Sequence, residues 1–106
     1  MEYLKDYGFE TEDLKNIEKK YNENIIIFIN ENEIYLRETL EYLKEKQFNI
    51  KKIFDDNICI ILENSYSLKD KVEYLTAKGL SYDQIEIILT DNELYSNIKL
   101  KKEDTN

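Results

Sequence analysis

The chain has no histidine, no proline, one cysteine, two glycines and a single arginine among its 106 residues. Each shortage closes off a class of chemistry. Without histidine it lacks the usual general base and the commonest zinc ligand, and Cys59 alone makes neither an internal disulfide nor a thiolate metal site. Gly8 and Gly79 stand far apart and cannot build a glycine-rich loop that cradles phosphate. Catalysis would rest on carboxylates, tyrosines or lysines, so the expectation is a protein that is not an enzyme and uses no cofactor. Long apolar runs are missing too. The runs at 25–29 and 58–62 fall far short of a membrane span, and the acidic start Met1-Glu2-Tyr3-Leu4-Lys5-Asp6 lacks the apolar stretch of a secretory signal. A soluble, intracellular, cytoplasmic protein with no membrane partner is expected.

Positive charge is also scarce. Against 23 acids stand 15 bases, a net charge of −8, and both halves of the chain are acidic. Such a field repels phosphate and attracts basic proteins, so the expected partner is a protein with a basic surface rather than nucleic acid. Lys19-Lys20, Lys44/Lys46/Lys51/Lys52 and Lys99/Lys101/Lys102 each have acids close by and read as solvated faces. Cys59, within Ile58-Cys59-Ile60-Ile61-Leu62, reads as a small buried hydrophobe.

What the chain does have is an internal repeat. Glu-Tyr-Leu occurs at 2–4, 41–43 and 73–75, followed after three residues by Gly8-Phe9, Gln47-Phe48 and Gly79-Leu80; the copies start 39 and then 32 residues apart. An acid-Asn step keeps the same time at Glu23-Asn24, Asp56-Asn57 and Asp91-Asn92. Periods of this size belong to stacked supersecondary units. Helix punctuation accounts for them. Ser67 with Asp70 reads as the start of a long helix striped by Leu68, Val72 and Leu75 and ended at Gly79; Asn30 with Glu33 reads as the start of another, striped by Leu36, Leu40 and Leu43 and ended at Gln47. Shorter helices follow from Thr11, Asn49 and Ser81, carrying Leu14/Ile17, Ile53 and Ile85/Ile88 inward.

The apolar segments after each acid-Asn step, at 25–29, 58–62 and 94–98, fit a short helix or a buried strand by composition. The fold expected is all-α, a short helical-repeat array of about two and a half to three units over 1–98 with a charged flexible tail at 99–106. The alternative is an α/β fold with two short buried strands.

The order of long helix, Leu-(x)3-Gly-Phe/Leu turn, short helix with paired isoleucines, then a break and an Ile/Leu pair resembles the repeat of the mitochondrial transcription termination factor family. LKDKVEYLTAKGLSYDQIEIIL at 68–89 looks like one full unit, and weaker copies cover most of 2–98. The resemblance implies three-helix repeats stacked into a curved solenoid whose positive surface holds duplex DNA or RNA. The family's proline before the third segment is absent here, where Asn24, Asn57 and Glu93 or their neighbours stand, and so is its basic surface.

No residue is expected to catalyse, bind a cofactor or hold a metal. Asp55-Asp56 with Glu63 nearby has the donors for a hard cation, but an acid before Asn57 reads more plainly as a helix cap. Tyr3, Tyr42 and Tyr74 share one repeat position and are expected to pack as a ladder between units. Tyr35, Tyr66, Tyr82 and Tyr95 lie off the leucine stripes, and with Asp55, Asp56 and Glu63 they form the expected protein-interaction surface. The expected function is a non-enzymatic acidic helical module, an inhibitor or regulator that docks a basic nucleic-acid-binding surface. The alternative is a nucleic-acid-binding repeat protein of the termination factor type.

Overall fold

A computed structural model describes residues 1–100, which form a six-residue 3-10 helix, Glu2–Tyr7, and eight α-helices: α1 Thr11–Lys20, α2 Glu23–Glu31, α3 Glu33–Glu45, α4 Ile50–Asp56, α5 Cys59–Leu62, α6 Ser65–Ala77, α7 Tyr82–Leu89 and α8 Asn92–Ser96. The tail expected at 99–106 lies outside the described residues apart from Lys99 and Leu100. No strand occurs among the described residues, and none of their helices is long and apolar enough to cross a membrane.

The all-α expectation therefore holds and the two-strand alternative falls. The reason lies in which isoleucines face inward. A strand over 25–29 would bury alternate residues, whereas here Ile27 alone is exposed while Ile25, Ile26 and Phe28 are half-buried and Ile29 is buried, the wedge of a helix. The Asn22 side chain starts this helix by accepting from the Ile25 N–H at 3.1 Å. In α5 the inward positions are Ile60 and Ile61, so Cys59 is exposed rather than buried.

One helix-ending device recurs three times. Gly8 (φ 91°), Gln47 (φ 62°) and Gly79 (φ 91°) occupy the left-handed region. The next amide reaches back across each end: Phe9 N–H to Leu4 C=O at 3.4 Å, Phe48 N–H to Leu43 C=O at 3.0 Å, and Leu80 N–H to Leu75 C=O at 3.2 Å. These bonds satisfy carbonyls that a bare helix end would leave without partners, and they fold Phe9, Phe48 and Leu80 back onto the core.

Several starts differ from the sequence reading. Asn64, not Ser67, caps α6, accepting from the Ser67 N–H at 2.8 Å. Asn30 caps nothing; α3 follows α2 across Asn32, whose Nδ2 donates to the Phe28 carbonyl at 2.8 Å. Glu10 precedes α1 and forms a reciprocal capping pair with Asp13, and its N–H, together with Lys51, holds the Asp13 carboxyl below the usual range. Ser81 with Gln84 forms the same reciprocal pair on α7.

The core runs through every element and includes Leu40, Leu43, Val72, Leu75, Ile53 and Ile85, the positions kept by the repeat. Its aromatic contacts are Phe9 against Phe54, edge to face at 5.0 Å, and Phe48 stacked on Tyr82 at 5.0 Å. No ring contact joins Tyr3, Tyr42 and Tyr74, so the expected ladder does not form. Instead each ring lies beneath a cation: Arg37 over Tyr3, Lys46 and Lys69 over Tyr42, and Lys78 over Tyr74.

Candidate interaction surface along α3

The seven residues expected at the interaction surface divide sharply. Tyr95 is a core residue, 2% exposed; its hydroxyl donates to Glu63 Oε1, and Lys71 Nζ lies 4.3 Å from its ring centroid. Glu63 also accepts from Ser67 Oγ and pairs with Lys71 Nζ, both at 3.3 Å. Its oxygens are thus committed inside the protein, and burial followed by the Glu63 hydrogen bond pushes the Tyr95 hydroxyl far above the ordinary tyrosine range. Tyr82 is half-exposed, yet its ring stacks on Phe48 and its hydroxyl donates to the Gln47 carbonyl, which makes it a tie between α7 and the end of α3.

Asp55 and Asp56 are exposed, but they end α4 rather than cap the start of a helix. There the helix dipole is unfavourable to carboxylates, and Lys52 compensates by pairing with Asp56 at 2.9 Å. No group of three or more His, Cys, Asp or Glu among the described residues has metal-site geometry. The following Asn57 is buried and donates from Nδ2 to the Leu89 carbonyl at 3.0 Å.

Tyr35 and Tyr66 remain, and they lead to a different surface. Beside α3 runs a groove of ≈ 440 Å³ lined by Ile34, Arg37, Glu38, Glu41, Tyr42, Glu45 and Lys69. A second hollow continues it past the start of α3, sharing Ile34 and Glu38 and adding Tyr35, Glu31 and Glu33. Ile34 is 84% exposed and Tyr66 71%, the two most exposed large apolar side chains among the described residues. Lys69 joins them, because it lines the groove with Ile34 while its Nζ lies 5.7 Å from the ring centroids of both Tyr42 and Tyr66.

Three carboxylates, Glu38, Glu41 and Glu45, outnumber the two cations of the groove, Arg37 and Lys69. Arg37, the only arginine, is already engaged: Nη2 pairs with Asp6 and Nε with Glu33, each at 2.9 Å, and its guanidinium lies over the Tyr3 and Tyr7 rings. Glu38 accepts from Ser65 Oγ at 3.3 Å and Glu41 from the Tyr7 hydroxyl at 2.8 Å. Single hydrogen bonds orient these carboxylates and leave most of their acceptor capacity open. Tyr42 forms the floor. It is 8% exposed, its hydroxyl has no hydrogen-bond partner, and burial together with Glu73 and Glu45 raises that hydroxyl above its ordinary range.

Sequence reasoning missed Ile34, Glu38, Glu41, Tyr42, Glu45 and Lys69. A signal was present: 34, 38, 41 and 45 fall on one helical face, opposite the buried Leu36, Leu40 and Leu43. Comparison with protein-family models, curated proteins and solved structures finds no match to this chain.

Proposed function

We propose that this chain is a non-enzymatic protein-interaction module whose helices stack as three like units, and that it regulates or inhibits a basic, nucleic-acid-binding partner by covering the partner's basic surface. The observation that carries the reading is the groove along α3. It joins the most exposed apolar side chains to a row of open carboxylates, and it is floored by a buried tyrosine hydroxyl with no partner. An aromatic and aliphatic centre with a polar rim is the anatomy of protein interfaces. The stacked-unit reading draws on the threefold helix ending and on an elongated envelope of 43 × 27 × 23 Å. The same features are what the termination factor resemblance implies for architecture, while the net charge of −8 opposes the duplex binding it implies for function.

Backbone amide shifts in nuclear magnetic resonance test the reading directly, with a poly-arginine peptide and a duplex DNA as separate probes. The peptide is expected to shift Ile34, Glu38, Tyr42, Glu45 and Lys69 first, weakening as salt rises, with no response to duplex. Shifts spread evenly over all acidic surfaces, or tight and salt-sensitive duplex binding, would reverse it.

A further inference from the structure

Resting on the reading that the α3 face docks a protein, we infer that its occupant is an α-helix of the partner, laid alongside α3 with a lysine or arginine on each successive turn. The spacing of the groove selects a helix over an extended segment. From Ile34 through Glu38 and Glu41 to Glu45 the positions advance by four, three and four residues, so the row spans roughly 16 Å along the axis in three steps. A helix bearing side chains at i, i+4, i+7 and i+11 repeats those steps and meets each position in register. An extended strand presents same-face side chains about 6.7 Å apart and overshoots by roughly 4 Å over three steps. It would match one or two carboxylates and miss the rest.

The composition of the row fixes the rest of the occupant. Ile34 stands at one end and calls for an apolar residue there. Glu38, Glu41 and Glu45 call for cations on the following turns, and the bonds from Ser65 and Tyr7 already orient two of them. Tyr42 adds a second, independent mark of a ligand. Its hydroxyl has already lost its water without gaining a protein partner, and a donor from an incoming side chain that displaces Lys69 would satisfy it.

The test uses the full chain and two synthetic peptides of about 20 residues with identical composition. One carries leucine at i and arginine at i+4, i+7 and i+11 in an alanine-rich background; the other is scrambled. Fluorescence anisotropy measures affinity at low salt, and circular dichroism follows helix content. The ordered peptide is expected to bind roughly tenfold more tightly than the scrambled one, to gain helicity on binding, and to lose about tenfold with Glu45→Lys or Ile34→Asp. Both positions are solvent-facing, and the variants' own spectra verify that they fold. If ordered and scrambled peptides bind equally and both weaken with Glu45→Lys, the helix is wrong and the docking face stands. If neither variant changes binding, the docking face itself falls.

Discussion

Replacing Gln47 by glycine is expected to stabilise the protein, although it removes a side chain. Gln47 follows α3 at φ 62°, where the corresponding positions after the Glu2–Tyr7 helix and α6 are glycines at φ 91°. Its backbone is held there from both sides, since its N–H bonds the Lys44 carbonyl at 3.0 Å and its own carbonyl accepts from the Tyr82 hydroxyl. A residue with a Cβ in this region carries about 1–2 kcal/mol of strain. Glycine removes that strain but gives the unfolded chain extra freedom worth about 0.4–1 kcal/mol. The net gain is about 0.5–1 kcal/mol, which for a domain of this size raises the midpoint of thermal unfolding by roughly 2–8 °C. The opposite change provides the control. A Cβ added at Gly79 meets nothing within 4 Å, so Gly79→Ala tests backbone conformation without a clash and should cost a similar amount, with β-branched Gly79→Val costing more. Calorimetric melts of the wild type, Gln47→Gly, Gly79→Ala and Gly79→Val at neutral pH decide it. A Gln47→Gly midpoint at or below that of the wild type would refute the strain argument.

Leu40→Ala should cost about 2–5 kcal/mol, a large part of the ~5–15 kcal/mol that holds a domain of this kind together, because Leu40 is wholly buried; urea titration followed by circular dichroism measures it. Ile34→Ala, on the exposed end of the same helix, should change stability by less than about 0.5 kcal/mol in that assay. Tyr95→Phe removes one of three donors to the partly buried Glu63 and should cost about 1–2 kcal/mol; a melt unchanged from wild type would mean that Lys71 and Ser67 suffice. Burial pushes the Tyr3 hydroxyl up to about 12, and Tyr7, Tyr21, Tyr42 and Tyr95 are raised as well. A raised folded value means that the stabilising contribution is complete below the ordinary pKa near 10 and is lost as pH climbs towards 12, so melting midpoints should fall across that window, with tyrosinate absorbance appearing as the chain unfolds. A flat profile from pH 9 to 12 would contradict this burial.

The fold was legible where one physical effect dominated. Leu36, Leu40 and Leu43, and again Leu68, Val72 and Leu75, recur at helical spacing because only one face of each long helix packs inward. Gly79 marked a helix end because few other residues adopt that backbone without strain. The sequence was ambiguous, or placed a helix start wrongly, where two effects compete. Composition favours a strand for 25–29, but the Asn22 cap and the inward wedge of Ile25, Ile26, Phe28 and Ile29 favour a helix, and tertiary packing decides. Likewise Asn32 takes its place at the α2–α3 junction through a carbonyl of the preceding helix, a contact that sequence spacing does not single out.

The candidate interaction surface was harder to read because a tyrosine's position off a leucine stripe does not determine its exposure. Tyr95 is off the stripe and buried, since Glu63 and Lys71 come to it from 32 and 24 residues earlier. Glu63 to Tyr95 and Asn57 to Leu89 are each separated by 32 residues, the offset between the second and third Glu-Tyr-Leu copies. A polar residue and a partner one period later therefore deserved to be read as a contact between copies, and that rule would have withdrawn both Glu63 and Tyr95 from the surface. Charge works the same way. Arg37, Lys51, Lys52 and Lys71 are held in ion pairs with acids of the chain itself, so open acids such as Glu38 and Glu45, with Lys69 beside them, shape the potential along the groove. A net charge of −8 states how strong that field is, and only the fold states that part of it lies along one helix beside the most exposed isoleucine.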